Sequence, residues 1–272
     1  VTYCSGGNRD PFTQIYLSTS EPAYISQAGK TPTSLLGLNP ATTGVFIAAG
    51  QSIIANSTTD GSDYMPVNAN NVFNVNPYDG SCTLLTNPVI GTSGLSTYAS
   101  YQTPLADFLV TAGVYENVVM CPVAIAGSAL HNWIPSDNLY YNYPIAAAQR
   151  MTWLGFPPTA FLWDQGTSDL TTSQSIYTSE MNTVMGLTQN GGYPTTPWIL
   201  ALSTLQSDGV TIVPAVRAAI EALWNGTTVL QGPDLDSLLG LPYRGPGNLP
   251  HFAGPGCIAA ANLWVTQIKA VL

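Results

Sequence analysis

Short continuous apolar runs alternate along this chain with segments of helical periodicity. The runs occupy residues 45–49, 118–126, 159–163 and 198–203, with a weaker one at 227–230. Each is followed by glycine or a polar turn. Unbroken apolar character over strand length marks a strand buried on both faces. Between the runs, residues 100–112 carry Leu105, Phe108 and Leu109 at helical spacing, and residues 213–224 carry Val216, Ile220 and Leu223 on one stripe. Residues 145–153 and 176–187 follow the same pattern. The segment 257–272, with Ile258, Ala261, Leu263, Val265, Ile268 and Val271, closes the chain as a helix. This alternation predicts an α/β fold, a three-layer α/β/α sandwich with a mainly parallel central sheet. Residues 1–40, rich in Ser, Thr, Pro and Gly, read as an irregular arm packed on it, and residues 1–272 as one domain.

Composition narrows the partners. Apolar residues make up 45% of the 272, enough for a sizeable core. Charged residues are only 8%, against about 25% in an average soluble protein. With 6 Lys plus Arg against 15 Asp plus Glu, no basic field exists to hold a phosphate backbone. Nucleic acid and anionic membranes are therefore poor partners, and neutral ligands such as carbohydrates suit the surface better. No apolar run reaches the roughly 18 residues of a membrane span.

Cys4, Cys82, Cys121 and Cys257 form no C-x-x-C pair, which weakens zinc and thioredoxin-type readings. Two disulfides or buried thiols are both open, and Cys121 lies in an apolar run that predicts a core thiol. Disulfides would imply an oxidising compartment. Val1 reads as the start of a trimmed chain, and the expected location is secreted, periplasmic or cell-surface.

Ligands of parallel sheets bind beyond the carboxyl ends of the strands, so the loops there carry the chemistry. The first is Gly50-Gln51-Ser52. Glycine permits a tight turn, and the amides of a following helix stabilise an oxyanion; the alternative is a capping serine. The second is Gly127-Ser128, leading to His131 and Trp133, where glycine turns a backbone N–H toward a ligand or simply turns the chain. The third is Trp163-Asp164-Gln165-Gly166, whose Gln165 brings a side-chain amide that needs partners if buried. The fourth carries His251, one of only 2 histidines, just before the final helix.

Together and in this order the segments resemble the SGNH hydrolase superfamily, and within it the sialate O-acetylesterase-like carbohydrate esterases. Gly50-Gln51-Ser52 matches that family's G-Q-S. Gly127-Ser128-Ala129-Leu130 with Trp133 resembles its G-G-T-x-I-x-x-W. Trp163-Asp164-Gln165-Gly166 matches W-x-Q-G-E up to the glutamate, which is Thr167 here. His251 resembles the histidine of D-x-x-H, with Asn248 in place of the aspartate. Ile53 also stands where the family often has asparagine.

The resemblance implies a serine esterase that removes O-acetyl or other short acyl groups from a carbohydrate, with no metal or organic cofactor. Ser52 would be the nucleophile and His251 its base, oriented by Asn248 or by Asp234, Asp236 or Asp169. The backbone N–H groups of Ser52 and Gly127 and the side-chain amide of Gln165 would form the oxyanion hole. Gln51, Trp133 and Trp163 would line the sugar site, with Tyr140 or Tyr141 as further candidates. A catalytically silent carbohydrate-binding or attachment domain on the same fold and a lipase-like esterase are the alternatives.

Overall fold

The computed structural model describes residues 26–58, 64–94, 98–137, 140–245 and 250–272. Seven strands form one sheet in the order β3-β2-β4-β1-β5-β6-β7. They are β1 (Thr43–Gly50), β2 (Val72–Val75), β3 (Cys82–Leu84), β4 (Asn117–Pro122), β5 (Ala160–Asp164), β6 (Trp198–Leu202) and β7 (Val229–Asp234). All neighbours run parallel except β2 and β3, which pair antiparallel at the edge. The helices are α1 (Gln102–Thr111), α2 (Tyr143–Trp153), α3 (Gln174–Asn190), α4 (Pro214–Leu223) and α5 (Gly254–Val271).

Strand alternation sorts the core into two layers. Val45, Ile47 and Ala49 of β1 face a cluster with Met151 of α2, Met181 of α3 and Ile220 of α4. Phe46 and Ala48 face the other way, into a cluster with Leu105 of α1 and Trp264 of α5. The expected three-layer sandwich is therefore what forms, and β1 is buried along its whole length because helices cover both faces. Burying each large apolar side chain contributes roughly 1.5–3 kcal/mol.

Local chemistry sets the helix starts. Ser173 caps α3 by accepting from Ile176 N, and proline stands in the first turn of α2, α4 and α5. The run at 118–126 leaves the sheet at Pro122, yet Val123 N still donates to Ala48 O and Ile125 N to Gly50 O. That fastens the loop after β4 to the end of β1. The strands β2 and β3 are additions to the sequence reading. They are short, and polar Asn74 breaks the apolar pattern of β2; it is buried, with Nδ2 donating to Ile90 O and Oδ1 accepting from Ile90 N.

The described part of the arm packs on this edge: Thr33 N donates to Cys82 O and Leu84 N to Thr31 O. Cys82, Cys121 and Cys257 are buried and no disulfide joins them to one another, while Cys4 lies outside the described residues.

The chain passes from β1 to β2, β3 and β4 on one side, then crosses to β5, β6 and β7 on the other. Connections thus leave in opposite directions around β1, which opens a crevice at its carboxyl end.

Candidate active site

Gly50 ends β1 at φ 132°, and a Cβ there would stand 2.1 Å from Asp164 O. Only glycine allows both that backbone and that approach. Gln51 N donates to Asp164 O at 3.0 Å, so the turn is sewn to the end of β5 and Ser52 is delivered at the crevice.

Ser52 Oγ lies 2.8 Å from His251 Nε2, across 199 positions of sequence. The loop before α5 makes this possible. Arg244 and Phe252 form an antiparallel bridge, and Ala253 N donates to Tyr243 O, closing the loop at its base. Buried Arg244 donates to the carbonyls of Leu235, Leu238 and Pro250, and its guanidinium sits 3.9 Å over the Phe252 ring. The peptide on each side of His251 is thereby anchored. Sequence reading missed Arg244. Its signal was its rarity: a cation close before the histidine in a chain with few of them.

Burial, and then the positive charge of Arg244, hold the His251 imidazole below its ordinary value. The ring is thus kept neutral and able to accept a proton from serine. Asp234 binds Arg217, and Asp236 accepts from Thr204 N, Leu205 N, Thr204 Oγ1 and Arg217. Asp169 accepts from Leu130 N, Gln165 and Thr172. These acids serve other partners and do not orient His251. Asn248 lies outside the described residues. His131 is on a 3-10 turn facing Asp169 and Glu180 of α3, and the structure does not bring it to Ser52.

Two backbone donors beyond the ends of β1 and β4 are left open. Neither Ser52 N–H nor Gly127 N–H donates to an acceptor among the described residues. Gly127 takes φ +77° and is exposed, with nothing within 4 Å of a Cβ built on it. Its turn is braced from below, where Trp133 Nε1 donates to Ser128 Oγ and Ser128 Oγ to Ile125 O.

Gln165 departs from expectation. Its Nε2 donates to Ser128 O at 3.0 Å and to Asp169 Oδ2 at 2.5 Å. A carboxylate only accepts, so the amide orientation is fixed and both amide hydrogens are engaged. Gln165 is a strut between the loops after β4 and β5 rather than a donor aimed at the reaction. Asp169 supplies its acid anchor, two residues beyond Thr167.

The two tryptophans also require correction. Trp133 and Trp163 are fully buried, in edge contact at 5.3 Å, so neither presents a face to a sugar. They are the floor beneath the site. Tyr140 is buried against Trp133, and Tyr141 is partly exposed. Gln51 is buried too. Its Oε1 accepts from Ser168 N, while its Nε2 has no hydrogen-bond partner. Among the described residues no group of three His, Cys, Asp or Glu side chains is placed to hold a metal, and no helix is long and apolar enough to cross a membrane.

A model of the carbohydrate esterase family of sialic acid-specific acetylesterases matches residues 42–235. No curated protein matches the chain. Among solved structures, a protein of Arabidopsis thaliana superposes with a TM-score of 0.67 at 17% identity, over 85% of this chain and 99% of its own. A novel carbohydrate acetylesterase from Xanthomonas citri gives 0.60 at 15% identity, over 84% of this chain and 56% of its own. NanS gives 0.59 at 15% identity, over 86% and 98%. At such identities these likenesses speak for the fold.

Proposed function

The chain belongs to the carbohydrate esterase family of sialic acid-specific acetylesterases and is a carboxylic ester hydrolase, and from that premise we propose that it removes O-acetyl groups from a carbohydrate through Ser52 and His251. The observation that carries this reading is the 2.8 Å contact between Ser52 Oγ and His251 Nε2 at the carboxyl end of β1.

A serine hydroxyl is a weak nucleophile until a base takes its proton. His251 Nε2 is within reach to do so as Oγ attacks the acyl carbon. The tetrahedral oxyanion would be held by the N–H groups of Ser52 and Gly127, neither of which has an acceptor among the described residues; losing one such donor costs about 10²–10³ in rate. His251 then returns the proton to the departing sugar oxygen, leaving an acyl-Ser52 that water clears by the same route in reverse. Asn248, three residues before the base, would orient the imidazole through its carbonyl, without adding charge.

Ser52→Ala tests the reading. It should abolish acetate release from p-nitrophenyl acetate and from acetylated sugars, by about 10⁴-fold or more, with an unchanged circular dichroism spectrum and melting temperature. A variant that turned over at the wild-type rate would remove Ser52 as nucleophile.

A further inference from the structure

We propose that the substrate is an O-acetylated sugar without charge, and that this site discriminates against sialic acid although its family is described by that sugar. The inference rests on the esterase reading above and adds the class of glycan.

A sugar carboxylate is recognised by a cation, most often an arginine that meets both oxygens, and a carboxylate drawn into a site without one loses its water uncompensated. The sequence holds 6 Lys and Arg in all, and the structure accounts for those it describes. Lys30 Nζ donates to Thr86 O, Thr86 Oγ1 and Pro88 O, beyond the edge strand β3. Arg150 is buried on α2 with Nε on Pro77 O and Nη2 on Tyr78 O. Arg217 is held by Asp234 and Asp236. Arg244 is the cation nearest the reacting pair, but it is buried beneath the histidine loop on three carbonyls and a ring face. Lys269 is exposed in the last turn of α5, roughly 22 Å along the helix from its start beside His251. Arg9 lies outside the described residues.

The described loops at the carboxyl ends of the strands carry no exposed lysine or arginine. Ser168 N binds Gln51 Oε1, so the turn after β5 borders Ser52. Gln206 Nε2 binds Thr167 O and fastens the loop after β6 to that turn. These loops and the one after β7 expose Leu170, Val210 and Leu241. The charge on the loop after β6 is Asp208, an exposed carboxylate. Loops without an exposed cation suit a sugar ring without charge. A net charge of −9 repels an anionic substrate from a distance as well.

The test measures acetate release from three substrates: an acetylated neutral oligosaccharide, O-acetylated N-acetylneuraminic acid, and the same sialic acid with its carboxylate capped as a primary amide. The amide and the neutral sugar should each exceed the free acid by at least about tenfold in kcat/KM at low salt. The gap should narrow as ionic strength rises, because screening removes only the repulsion. A free acid turned over as fast as its amide, or a preference for the acid that Arg9→Ala abolishes, overturns the proposal while leaving the esterase reading intact. Absence of turnover even on p-nitrophenyl acetate overturns both.

Discussion

The loop after β1 and the loop after β5 lie side by side, joined by Gln51 N on Asp164 O, yet they treat their polar groups in opposite ways. The β1 loop leaves groups available: the Ser52 N–H has no acceptor among the described residues, and its hydroxyl faces an imidazole across a single contact. The β5 loop turns Gln165 and Asp169 inward. Gln165 reaches Ser128 and Asp169, its Oε1 and its carbonyl both lie within hydrogen-bond reach of the Tyr177 hydroxyl, and Asp164 accepts from Tyr101. A reacting loop needs unsatisfied donors at its tip. Its neighbour can supply the rigidity because its own donors are satisfied.

The contrast is broken most severely at the base. His251→Ala should lower turnover by about 10⁴-fold, whereas His131→Ala, out on the α3 side, should stay within about twofold. Matched steady-state assays on an activated acetyl ester decide. If His131→Ala were inactive and His251→Ala active, the 2.8 Å contact would have no catalytic meaning.

Next comes the strut. Gln165→Ala leaves the buried Asp169 carboxylate and Ser128 carbonyl short of a donor, a loss of about 1–3 kcal/mol, or several degrees of melting temperature. Turnover should fall less than stability implies, within about tenfold. Ser52→Ala should show the reverse. An unchanged melting temperature with a kcat loss of about 10² or more would return Gln165 to the oxyanion hole.

These residues also show what a sequence can and cannot disclose. Ser52 was legible because a glycine forced at a strand end leaves a local trace, and His251 because only one other histidine competes with it. The sheet was legible for the same kind of reason: β1 and β4 to β6 are covered on both faces, so their sequences are continuously apolar, while edge strand β7 exposes Gln231 and left only a weak run. The edge pair was not, since β2 carries Asn74 and β3 has only 3 residues. Trp163 misled because a ring at a strand end reads alike whether it faces the crevice or the helices. Its pairing with Ala49, on the α2–α4 face, places it in the core. Arg244 was overlooked because its partners are backbone carbonyls, which no motif records, and only its rarity marked it.

A smaller effect concerns pH. Burial and Arg244 lower the His251 value from 6.5, so the neutral, proton-accepting ring persists to more acidic solution than an ordinary histidine. The acid limb of kcat/KM, which reports the free enzyme, should therefore fall below pH 6.5. With Asn248 orienting the ring as proposed, Asn248→Asp should move it upward, since an anion beside the imidazole favours its protonated form. A wild-type limb above 6.5 would mean that a carboxylate already stands beside the imidazole.

The last effect belongs to the strut side alone. Asp164 is fully buried, and its Oδ2 accepts from Tyr101 at 2.6 Å. Burial pushes its carboxyl from 3.8 up to about 6, against the opposing pull of the Tyr101 and Ser203 hydroxyls and Arg244. A carboxyl raised in the folded state binds its proton more tightly there than in the unfolded chain. Its contribution to stability is fully present below pH 3.8 and is lost as pH rises through about 6. Asp164→Asn keeps an acceptor for Tyr101 and removes the buried charge, though it also removes attraction to Arg244. The variant should match the wild type near pH 4 and exceed it by roughly 2–3 kcal/mol at pH 8. Denaturant titrations across that range measure the difference directly. A gap that stayed flat with pH would show that Asp164 does not titrate on folding, and that the end of β5 holds its charge through solvation by neighbouring hydroxyls.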